Sequence, residues 1–167
     1  MVEWFLNLSR SRRRSIVGIG YNYKCKRCGR KYSVTVGMPY LYPQAYRELR
    51  QQIWEYRQGL QPARAFRLMP RAAVKAERIV LYCENEGHWL AGYDCTLYLP
   101  NDPESIPKDE VPFPDDLEKD YHVAWEYKHR CGICRKYMHT ATDEELQHLQ
   151  CPGCKMENEA IGTFNWD

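Results

Sequence analysis

The chain has 167 residues, 44% of them hydrophobic and 28% charged, the composition of an ordinary globular protein. No stretch approaches the ~20 apolar residues that a membrane-spanning helix needs. The net charge of +2 hides a division: residues 1–82 carry 17 Lys+Arg against 4 Asp+Glu, and residues 83–167 carry 7 against 18. The basic half favours an anionic partner, unless the two halves answer each other within the fold.

Residues 1–20 read as a basic tail or edge segment. The apolar run Val2–Leu8 precedes Arg10–Arg14. That is the reverse of a secretory signal's order, so a cytoplasmic location is expected. A disulfide framework is then not expected, although the chain holds 8 cysteines. Six of them form three Cys-x-x-Cys pairs, and Cys83 and Cys95 stand apart.

The first pair lies in Tyr21–Gly29, where Cys25 and Cys28 are followed by Gly29. A glycine there tolerates the backbone conformation that a metal knuckle's turn requires. A helical insertion over about 42–77 follows. Pro43 suits a first helical position and Gly59 a helix end. Tyr46, Leu49, Ile53 and Tyr56 recur on one apolar stripe, with Arg47, Arg50, Trp54 and Arg57 on a neighbouring face. The arginines read as a solvated flank of a core stripe. A second helical segment runs from near Pro62 to Pro70, and Pro70–Glu77 reads as a further short helix.

Ile79–Tyr82 reads as a strand leading into Cys83-Glu84-Asn85-Glu86-Gly87-His88. Laid over the Cys-x-x-Cys-Gly pattern, Glu86 takes the second cysteine's place. Cys25, Cys28 and Cys83 therefore make a first metal site. Its fourth ligand is Cys95 or His88, with Glu86 behind them because structural zinc takes oxygen less often. A first module, 21–99, closes with a strand at Thr96–Leu99. Residues 100–120 hold five prolines and a run of acids, and read as a linker without helix or central strand.

The C-terminal module, 121–167, is the more regular. Residues 121–129 partly alternate, as a strand running into a knuckle should. Cys131/Cys134 and Cys151/Cys154 are 16 residues apart, a spacing that suits one four-cysteine zinc site. Between them Thr142 and Glu145 form a capping box for a short helix, and Ile161–Trp166 reads as a closing strand. Cys131-Gly-Ile-Cys134 lacks the long following helix of a thioredoxin-like dithiol. Iron of the rubredoxin kind remains the alternative metal.

On these cysteine pairs the chain resembles the zinc-ribbon superfamily. Its layout of knuckle, helical insertion, second knuckle, acidic linker and ribbon resembles uncharacterised bacterial zinc-ribbon proteins. The resemblance implies a fold and a cofactor only. The expected architecture is a small α+β protein with two zinc-ribbon-like modules and two zinc ions per chain. The metal is structural, since so small a module cannot bury a sufficient core unaided. The expected role is a non-enzymatic adaptor for protein or nucleic acid. One alternative is sequence-tolerant nucleic-acid binding through the basic half, where Lys24, Lys26, Arg27 and Arg30 stand among aromatics. Another is a metal-dependent or redox enzyme at the irregular first site. The sequence carries no Ser/His/Asp set, phosphate loop or His-Glu-x-x-His. His122 and His139 would be the first residues to test for catalysis.

Overall fold

The computed structural model describes residues 18–107 and 109–166. The tail at residues 1–17 lies outside the described residues, while Ile19 and Gly20 belong to the first strand. The fold is a small mixed α+β arrangement, with four helices and ten strands among the described residues.

Strands β1 (Ile19–Lys24) and β2 (Lys31–Val36) form a hairpin around the first knuckle. Helices α1 (Tyr42–Trp54) and α2 (Leu60–Leu68) form the insertion. Strands β3 (Ala73–Val74), β4 (Arg78–Cys83), β5 (His88–Tyr93) and β6 (Leu97–Pro100) follow. Helix α3 (Pro114–Asp120) leads into β7 (Tyr121–Trp125). The chain ends with β8 (His139–Thr140), α4 (Asp143–Gln147), β9 (His148–Gln150) and β10 (Glu157–Asn165).

Three antiparallel sheets result, in the orders β2-β1-β10-β9, β3-β6-β7 and β5-β4-β8. Each contains strands from both sides of residues 100–120. β1 pairs with β10, β4 with β8 and β6 with β7. The two modules drawn from the sequence therefore share their sheets. Segment 100–120 joins adjacent strands of one sheet rather than separating two bodies.

The insertion packs as an amphipathic helix should. Pro43 stands in the first turn of α1, where its missing N–H is no loss. Tyr42, Tyr46, Leu49 and Ile53 are buried on one face. They meet Phe66, Val74, Leu97 and Leu117 in the largest core cluster. Tyr56 departs from the expected stripe. The helix stops at Trp54, and Tyr56 takes a left-handed φ of 63° with its ring exposed. Gly59 caps the start of α2 rather than the end of α1.

Two other local expectations fail. Pro70–Glu77 forms no helix: Ala73 and Val74 pair with Tyr98 and Leu97. Ala72, Ala73, Val74 and Ala76 are all buried, so tertiary burial and ladder bonds override their helix propensity. The linker does hold a helix. Pro114 begins α3, the Asp116 carboxylate accepts from the Phe113 amide at 2.9 Å, and Leu117 is buried.

Candidate metal centres

The knuckles are local structures with a common design. In the first, the Cys25 amide donates to the Arg30 carbonyl at 2.8 Å and the Gly29 amide donates to the Cys25 carbonyl at 2.9 Å. The same two bonds recur from Cys131 to Lys136 and from Arg135 to Cys131. They recur again from Cys151 to Met156 and from Lys155 to Cys151. In the Cys83 turn, Gly87 donates to the Cys83 carbonyl at 2.8 Å, and Cys83 pairs with His88 in the ladder. The residue four beyond the first cysteine is left-handed in all four turns: Gly29 at 72°, Gly87 at 62°, Arg135 at 65° and Lys155 at 62°. Gly87 needs its missing side chain for a second reason, since a Cβ there would stand 2.1 Å from Gln150 Nε2.

The knuckles do not combine as their sequence spacing predicts. The structure gathers Cys25, Cys28, Cys151 and Cys154 in one cluster, and Cys83, Cys131 and Cys134 in another. Within each, the sulfurs lie within 4.8 Å of one another. Cys25 Sγ is 3.4 Å from Cys154 Sγ, Cys28 Sγ is 3.6 Å from Cys151 Sγ, and Cys83 Sγ is 3.5 Å from Cys134 Sγ. The expected set Cys131/Cys134/Cys151/Cys154 is thus split, and Cys25/Cys28/Cys83 is split with it. The cause is the strand pairing. β1 lies against β10, which carries the Cys151 turn beside the Cys25 turn. β4 lies against β8, which carries the Cys131 turn beside Cys83.

None of the eight cysteines forms a disulfide. The sulfur separations far exceed the ~2.05 Å of a disulfide and suit donors arranged around one cation. Each cluster can hold a metal ion. Backbone N–H groups favour the thiolate form at the leading cysteine of three turns. The amides of Cys28 and then Arg27 draw Cys25 down to about 6. Those of Cys134 and Ile133 lower Cys131, and those of Cys154 and Gly153 lower Cys151. Cys83 receives matching amide bonds from Glu86 and Asn85, but burial and the Cys134 side chain push it up.

Cys95, an expected fourth ligand, is in neither cluster. It is fully buried in the helical core, and its Sγ lies 3.8 Å from the Tyr93 carbonyl. Burial pushes its thiol up to about 12. The strand does not fold back within Ala91–Tyr93, because β5 carries these residues in register with β4 and ends before Asp94. His88 and Glu86 also fall outside the three-sulfur cluster. His139 bonds to both Glu145 oxygens, at 2.9 and 3.0 Å. Glu84 completes a loose group with that pair. His122 Nδ1 lies 3.0 Å from Asn101 Oδ1.

Two supporting residues escaped the sequence reading. Asn158 is buried. Its Oδ1 accepts from the Lys26 amide at 3.0 Å, and its Nδ2 donates to the Met156 carbonyl at 2.7 Å. It thereby ties the Cys25 turn to the Cys151 turn. Gln150 joins the two clusters. Its carbonyl accepts from Trp89 Nε1 at 2.8 Å, and its Nε2 donates to the Glu86 carbonyl at 3.1 Å. Neither residue carries a motif, and only their place beside cysteine turns distinguishes them.

Comparison with known proteins adds no family to this geometry: no family model, no curated protein and no solved structure matches the chain.

Proposed function

We propose that both clusters hold zinc in a structural role, and that the zinc-stapled sheets present a binding surface. The carrying observation is that four turns of one backbone design converge in pairs on two groups of sulfurs. Tetrahedral zinc with Zn–S bonds of ~2.3 Å sets neighbouring sulfurs ~3.8 Å apart. The separations of 3.4 to 3.6 Å between turns are close to that. The leading cysteines Cys25, Cys83, Cys131 and Cys151 are buried, as suits ligands that hold a fold together. Elemental analysis of the purified protein should give two zinc per chain. Chelation should then abolish the near-ultraviolet circular dichroism of Tyr23, Tyr32 and Trp89, which pack beside the knuckles. Metal-free protein with an unchanged spectrum would end this reading.

A second reading, single-stranded nucleic-acid binding, is favoured by one observation on the insertion. The Arg67 guanidinium lies 4.7 Å from the ring centre of Trp54 and 4.7 Å from that of Tyr56. Both rings are exposed, as are Arg47, Arg57 and Arg64 nearby. Exposed rings offer stacking to bases, and arginines offer charge to phosphates. Binding of a labelled single-stranded oligonucleotide, followed by fluorescence anisotropy, should weaken steeply with salt and fall at least tenfold in Trp54→Ala. Absence of binding at low salt removes this reading.

A further inference from the structure

The two clusters are unequal: one has four sulfurs, the other three. The Cys83 turn is nevertheless a complete knuckle in its backbone. Gly87 supplies the left-handed residue, as Gly29 does. The amides of Glu86 and Gly87 donate to the Cys83 carbonyl at 3.3 and 2.8 Å, as that of Gly29 donates to the Cys25 carbonyl. Only the side chain at the second ligand position differs. Glu86 stands where Cys28, Cys134 and Cys154 stand in the other three turns.

His88, the rival nitrogen donor, stands opposite Cys83 in the ladder. That is the place of Arg30, Lys136 and Met156 in the other turns. Glu86, by contrast, holds the position that supplies the second sulfur in each of the other three turns, and the position-for-position match therefore favours Glu86.

We infer that Cys83, Cys131, Cys134 and the Glu86 carboxylate form a three-sulfur, one-oxygen metal site, distinct in kind from the four-sulfur site. This rests on the proposal that the clusters bind zinc. In the structure Glu86 Oε1 accepts from Asn85 Nδ2 at 3.0 Å at the turn's exposed rim. Glu86 is part-exposed, so its carboxylate is free to leave Asn85 by side-chain rotation, a fast motion for such a residue. The carbonyl of Glu86 is meanwhile held by Gln150 Nε2 at 3.1 Å, so the turn stays in place while the carboxylate swings.

A carboxylate is a harder donor than a thiolate and competes less well for a borderline-soft ion. The mixed site should therefore release zinc first. The test is zinc X-ray absorption on the fully loaded protein, paired with release of zinc to a chromogenic chelator. Wild type should show an average shell of about 3.5 sulfurs and 0.5 oxygen per zinc, and two release phases. Glu86→Cys should raise the shell to four sulfurs and slow the fast phase at least tenfold. Glu86→Ala should accelerate that phase at least tenfold and leave the slow phase unaltered.

An imidazole scattering signature, or a fast phase indifferent to both substitutions, overturns the inference while leaving zinc binding standing. A single tightly held zinc per chain overturns it as well. Failure of the wild-type chain to bind zinc at all would instead strike the proposed function.

Discussion

In the α1–α2 insertion, Leu49 and Ile53 are 1% and 0% exposed and pack with Phe66, Val74 and Leu97. Around the Cys83 turn, the buried cluster among the described residues holds Cys83 and Cys131 with Leu81 and Met138. One region is held by apolar area removed from water, the other by sulfurs converging on a point. The helical region offers a continuous stripe, so it closes a core without a cation. The knuckle turns are too short to bury such a stripe, and under the proposed function metal binding coupled to folding supplies their cohesion.

That contrast is open to attack at several points. The largest effect is expected from removing the four-sulfur cluster. Cys25→Ser with Cys151→Ser should forfeit on the order of 10 kcal/mol of metal-derived free energy. Hydrogen exchange should show β1, β9 and β10 opened while α1 keeps its protection. Equal loss of protection in α1 would mean that the two regions are not separately stabilised.

A cut into the helical core should do the reverse. Leu49→Ala should cost about 2–5 kcal/mol by denaturant titration and leave the metal content at its wild-type value. Acidification should weaken the knuckles. Cys25 is drawn below its ordinary thiol value to about 6. Its thiolate therefore contributes fully above the unfolded value near 9 and is lost as the pH falls through about 6. Metal retention, followed by equilibrium dialysis from pH 8 to 5, should decline in that window.

Smaller effects sharpen the boundary. Cys95→Ala should leave the zinc count unchanged and cost only about 1–2 kcal/mol, because this sulfur fills core space and ligates nothing. Loss of one metal equivalent in this variant would return Cys95 to the ligand set. Thr142→Ala should cost about 1 kcal/mol. It removes the hydroxyl that accepts from the Glu145 amide at 3.2 Å, and thermal melting should report a shift of a few degrees.

The features legible in the sequence are those whose determinants lie within a few residues. The capping box at Thr142 and Glu145 is present as expected. So are Pro43 in the first turn of α1 and the buried positions Tyr46, Leu49 and Ile53. The resemblance of Cys83–Gly87 to a knuckle lacking its second cysteine was visible too, because the turn's bonds span only four or five positions. Sequence-local reasoning failed at Pro70–Glu77, where pairing with β6 made a strand of a helix-forming segment. It failed again at Pro114, whose helix depends on Asp116 and the burial of Leu117.

What the amino-acid sequence determined by itself is the set of turns: where each pair of thiols faces one point, and which turn has a carboxylate in place of a thiol. What only the tertiary structure decided is which turn meets which. Neighbouring spacing joins the Cys131 turn to the Cys151 turn. Yet β1 finds β10 and β4 finds β8 across more than fifty residues of chain. A ladder partner is chosen by the burial of whole faces, such as Tyr23 and Val34 against Leu146 and Leu149. No short window of residues contains both sides of that choice.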